Sequence, residues 1–152
     1  MPRTITEAKL NFWSAIDTLS IYIPYSKESV QQSIGTTFKP QPPTSPLFKT
    51  YVSDAIFFKD IESVCVFELR EKHDRCHPGF LTINFEQTTL NRDYIAVNFK
   101  LDVLEKNLVH YDNECAYTSY QDWGLMLFGF SLDRDHLLLS MSMQPDNFAQ
   151  TL

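Results

Sequence analysis

Glycine is scarce, with 4 in 152 residues. A phosphate cradle made of backbone N–H groups needs glycines clustered between a strand and a helix. No such cluster occurs, and neither G-x-S-x-G nor H-E-x-x-H is present. The common nucleotide-binding, serine-hydrolase and zinc-protease signatures are therefore absent, and no cofactor is expected. Cysteine is also sparse. Cys65, Cys76 and Cys115 are an odd set that cannot all pair within one chain, which fits a reducing compartment and no structural disulfide. Long apolar runs are missing too: the longest, "GLMLFGF", has seven residues including two glycines, whereas a membrane span needs about 20. The opening "MPRTITEAKLNFW" lacks the basic-then-apolar order of a secretory leader. The expectation is a soluble cytoplasmic protein, with the periplasm open if a leader has been removed.

Basic charge is deficient in one region only. Residues 1–100 hold 11 basic and 11 acidic side chains, while residues 101–152 hold 2 basic against 8 acidic, so the net charge of −6 lies wholly in the last third. Such a balance repels phosphate backbones, and no basic stripe with interleaved aromatics occurs, which argues against nucleic acid and anionic membranes as partners.

What the chain does have is a core. At 43% hydrophobic and 14% aromatic residues, 152 residues suffice for one globular domain without staples. Residues 4–35 read as helical. Thr4 and Glu7 have capping-box spacing, Ala8, Phe12, Ala15, Ile16 and Leu19 recur at helical intervals, and Pro24 ends the run. Ser26 is placed to cap a second helix, "KESVQQSI", closed by Gly35. Residues 38–48 hold four prolines in seven positions and read as an extended connector.

From residue 50 to 145 the period changes to two, as strands with one buried face require. "YVSDAIFF", "IESVCVFELR" and "FLTINFE" are successive strand candidates. Asn91 is placed to cap a short helix, "RDYIAVNF", whose aromatic and β-branched content leaves a strand open as the alternative. "DWGLMLFGF" and "HLLLSMSM" flank the polar "SLDRD" as a hairpin, with Leu137, Leu139, Met141 and Met143 assigned to one apolar face. Residues 100–122 carry no clear period. Helices first and strands later predict an α+β domain, an antiparallel β-meander with the N-terminal helices packed on one face.

"HDRCHPG", residues 73–79, concentrates His73, Cys76 and His77. A structural zinc site needs four ligands, usually as two separated pairs. The only second set, His110 with Cys115, has no recurrent zinc spacing. Thiol catalysis would need an orienting third group, and adjacent residues on a turn are poorly placed for it. Polar residues ending in Pro78-Gly79 fit a hairpin connection better, and the expectation is no metal and no catalysis.

The surface is what remains for function. Trp123 lies near Tyr117 and Tyr120 in a strongly acidic region, and Asp112, Glu114, Asp122, Asp133 and Asp135 are candidates to steer a basic protein partner around that tryptophan. The bland alternative for Trp123 is a plug at the end of the sheet. The order of "SVCVFELR", turn, "GFLTINFE", short helix, "DWGLMLFGF" and a final strand, across roughly residues 50–145, resembles small bacterial immunity proteins, with W-G-x-x-x-F-G-F its most distinctive part. That resemblance implies a non-enzymatic inhibitor that occludes the cleft of a toxin with a basic surface. A secretion chaperone is the alternative, and a small enzyme using Cys76 a third.

Overall fold

The computed structural model describes residues 5–21, 27–35, 37–42, 48–72, 79–103, 114–131 and 136–145. These form three helices and a ten-stranded sheet, a mixed α+β architecture that is antiparallel at every pairing but one. The strands are β1 (Ile5–Glu7), β2 (Phe38–Gln41), β3 (Phe48–Ser53), β4 (Ala55–Phe58), β5 (Ser63–Lys72), β6 (Phe80–Gln87), β7 (Asp102–Val103), β8 (Glu114–Gln121), β9 (Gly124–Ser131) and β10 (Leu138–Pro145). The helices are α1 (Phe12–Ile21), α2 (Lys27–Ile34) and α3 (Arg92–Asn98). Among the described residues no helix is long and apolar enough to cross a membrane.

The strand order is β1-β4-β5-β6-β10-β9-β8-β7, with β3 also on β5 and β2 on β3. This is two meanders rather than one. Strands β4, β5 and β6 form the first and β8, β9 and β10 the second, and β10 joins them by pairing with β6 through Ser140↔Asn84 to Met143↔Leu81. The alternation expected for β5 and β6 holds: Cys65, Phe67, Leu69, Leu81, Ile83 and Phe85 are all buried.

Three local departures from the sequence reading have physical causes. Residues 5–7 pair in parallel with β4 instead of opening a helix, and α1 begins only at Phe12, whose N–H donates to both carboxylate oxygens of Asp60 at 3.1 and 3.0 Å. The cap is a distant acid, not the Thr4–Glu7 box. The connector starts as an edge strand, with Pro40 opposite Tyr51, a position where its missing N–H is tolerated. Leu139 is not in phase with Met141 and Met143. A bulge between Leu138 and Ser140 buries Leu138 instead and leaves Leu139 36% exposed.

"YVSDAIFF" is one strand path with a second irregularity. Between the pairs Ile56↔Cys65 and Val52↔Glu68 the β3–β4 side holds one extra residue, so its two halves take different outer neighbours, β2 and β1. Phe67 N–H, opposite the irregularity, donates to Ser53 Oγ at 2.9 Å in place of a ladder carbonyl.

The predicted α2 and α3 are present. Gly35 follows α2 at φ 68° and its N–H donates to Gln31 O at 2.8 Å. Asn91 Oδ1 accepts from Tyr94 N–H at 2.9 Å as the cap of α3. Thr4 and Ser26 lie outside the described residues. One buried cluster includes Phe12, Leu19, Val30, Ile34, Ile95 and residues of β4, β5, β6, β9 and β10. Within it the Phe12 ring meets Phe58 and Phe85 at centroid distances of 5.2 and 5.6 Å.

Ser53→Ala is expected to lower stability by about 1–3 kcal/mol, since it strands a buried N–H. At the bulge, Leu139→Ser is expected to cost under about 0.5 kcal/mol and Met141→Ala about 2–5 kcal/mol. Urea denaturation of the three variants measures both contrasts.

Candidate functional site

Of the acids singled out above, the two described ones, Glu114 and Asp122, stand at opposite ends of β8. Strand β8 runs from Glu114, opposite Ser131, to Gln121, opposite Gly124. Asp122 and Trp123 form the two-residue turn at one end of the sheet. Glu114 starts β8 at the other end, roughly 25 Å away at about 3.3 Å per residue. Asp112, Asp133 and Asp135 lie outside the described residues, as do His73, Cys76, His77 and His110. Trp123 is half-buried and packs against the core, while Asp122 and Tyr120 are exposed. The segment holding the His73–Cys76–His77 cluster connects β5 to its antiparallel neighbour β6. Gly79 ends it at φ 70°, and a Cβ there would collide with the Arg70 carbonyl.

At the opposite end from Trp123 is a cleft of about 340 Å³, lined by Lys59, Asp60, Ile61, Glu62, Thr89, Leu90, Asn91 and Tyr94. The β4–β5 turn forms one wall and the start of α3 the other. The turn closes through Glu62 N–H on Lys59 O at 3.3 Å and holds Glu62 at φ 49°. A left-handed carboxylate residue is uncommon, because the Cβ crowds the backbone. On the far wall, Asn91 bridges to Leu137, next to His136 at φ 45°. Both positive-φ non-glycine residues of the described chain thus stand at or beside this cleft.

Its polar groups are partly committed. Asp60 caps α1. Asn91 spends Oδ1 on Tyr94 N–H and keeps its amide donors. The phenol of Tyr94 accepts from Trp13 Nε1 at 3.1 Å and keeps its own O–H. Trp13 in turn contacts Phe12 and Phe99 at 4.9 and 5.5 Å between centroids. An aromatic wall thus rises from the core to the cleft mouth. Tyr94 is 42% exposed, and Val97, one helical turn further along α3, is 79% exposed.

No groups of three or more His, Cys, Asp or Glu side chains able to hold a metal ion occur among the described residues. Cys65 is buried in β5, where loss of solvation, followed by the nearby Asp60 and Glu86 carboxylates, pushes its thiol far above the ordinary value. Such a thiol is a core packing group, not a nucleophile. The sequence reading did not find the cleft, since its walls lie some 30 positions apart. The one local signal was the Asn91 cap. Comparisons of the chain with protein-family models, with curated proteins and with solved structures return no match.

Two outcomes are expected. Glu62→Gly removes the left-handed strain and raises stability by about 1 kcal/mol, read as a higher melting temperature. Cys65 has a folded-state pKa raised above its unfolded value, so its contribution to stability is complete below the ordinary thiol value of 9.0 and declines as pH rises beyond it. Urea melts between neutral and alkaline pH should show that decline, and Cys65→Ala should flatten it while lowering stability at neutral pH.

Proposed function

We propose that this is a non-enzymatic protein-binding protein of the immunity type, which neutralises a cognate bacterial toxin by covering its active site. The observation that carries the reading is the surface at the α3 end. Tyr94 and Val97 are exposed side chains on α3, Tyr94 also lines the polar cleft, and Trp13 backs Tyr94 through a hydrogen bond. Tyrosine and tryptophan are the side chains most enriched in binding hot spots. In this reading the helices lie over one face of the sheet and hold that surface rigid, so little ordering entropy opposes association. The acidic excess of the last third favours a partner with a basic rim and acts mainly on the rate of encounter.

This places the anchor on Tyr94 and Val97 and leaves Trp123 as the plug at the other end. The cytoplasm is the compartment proposed, because the cysteine content suits it.

The product of the adjacent reading frame should arrest growth when expressed alone, and co-expression of this protein should restore it. Val97→Lys should weaken the complex by about 2 kcal/mol or more with unchanged melting temperature, and Tyr94→Phe, which keeps the ring, should weaken it less. Trp123→Ala should instead cost about 2 kcal/mol of folding stability and leave the affinity of the folded protein intact. A harmless neighbouring product, or affinity lost through Trp123 alone, contradicts the reading.

A further inference from the structure

Arg92 opens α3 and is half-buried. Its guanidinium Nη1 donates to the phenol oxygen of Tyr117 at 2.9 Å, and its Cζ lies 5.8 Å from that ring's centroid. Tyr117 stands on β8 opposite Phe128 and rests edge-on against Phe130 at 5.7 Å, so the phenol is fixed by the core beneath it. The backbone is fixed as well: Arg92 N–H donates to His136 O at 3.0 Å, and Leu138 N–H to Leu90 O at 2.8 Å.

Charge balance is what makes this pair unusual. Among the described residues Arg92 has no carboxylate partner, whereas Arg70 is paired with Glu68 at 3.3 Å. The chain holds 19 acidic side chains against 13 basic ones, yet none of those among the described residues is set against this partly desolvated guanidinium as a counter-charge. Partly desolvated guanidinium groups are ordinarily matched by an anion. Only one of the five donors is used on Tyr117. Because the phenol oxygen accepts that bond, its own O–H is left to donate in turn.

We infer that Arg92 and Tyr117 form a binding site for one anionic group, a carboxylate or a phosphate, held by the remaining guanidinium donors and the Tyr117 hydroxyl. Charge-assisted bonds from a planar fork plus one neutral donor suit the oxygens of either group. The site is separate from the apolar surface of Tyr94 and Val97 and does not depend on the inhibitor reading.

The test is a titration of the full chain with inorganic phosphate, and in parallel with acetate, at ionic strength held constant with chloride, following the side-chain NMR signals of the arginines and tyrosines. The expected result is a saturable shift confined to Arg92 and Tyr117. Tyr117→Phe, which keeps the ring, should weaken it about tenfold, as loss of one bond to a charged group predicts. Arg92→Lys, which keeps the charge but not the fork, should also weaken it, and Arg92→Met should abolish it. Stronger saturation by phosphate or by acetate identifies the group. Equal, non-saturating shifts at all arginines, or a titration unchanged in both Tyr117→Phe and Arg92→Lys, overturns the site.

Discussion

The pairing of β10 with β6 is the contact on which the rest of the architecture depends. Each meander is built from strands close in sequence, and neither buries its apolar face alone. Joined by β10, they align one row across five strands: Phe67, Ile83, Met141, Phe128 and Tyr117. Because side chains alternate, a one-residue slip of β10 would exchange Met141 and Met143 for Ser140 and Ser142 on the buried face. The bulge at Leu139 corrects the phase of the strand before it meets β6. Pairing between residues so distant in sequence forms late and at an entropic cost, which the aromatic content of this face offsets through burial.

Helices α1 and α2 are tied to this sheet by acids distant in sequence. Asp60 accepts the first N–H of α1, and Glu71 Oε2 accepts the first N–H of α2 at 3.3 Å. Negative charge at a helix N-terminus is favourable in itself, and here it also fixes where the helix begins relative to a strand. Asp60 has a second consequence. It sits on the turn that walls the cleft, so the start of α1, the cleft and the Trp13–Tyr94 contact form one rigid corner of the molecule.

Local pattern carried much of this. The strands from Ser63 to Lys72 and from Phe80 to Gln87 alternate cleanly because one face of each meets the core, and at α3 the Asn91 cap decides for helix where the β-branched and aromatic content leaves a strand open. What failed was non-local. The Thr4–Glu7 spacing mimics a cap, but β1 pairing with β4 and the Asp60 carboxylate decide the start of α1. Residues 114–121 alternate too weakly to read, since Thr118 and Ser119 are both buried. Leu139 misled because a bulge reverses the period, which no propensity records. For the site, the chain direction of β8 puts Trp123 and Glu114 at opposite ends, a separation that proximity in sequence does not record.

The proposed function belongs to the corner where α3 meets the β4–β5 turn, with Tyr94 at the strained, polar cleft and Val97 exposed on the same helix. Hydrogen exchange on this protein with and without the product of the adjacent reading frame tests the proposal most directly. Protection concentrated on residues 92–99 and 59–62, with the 121–124 turn exchanging as in the free protein, is the predicted result. Protection centred on the 121–124 turn, with α3 unchanged, would contradict it.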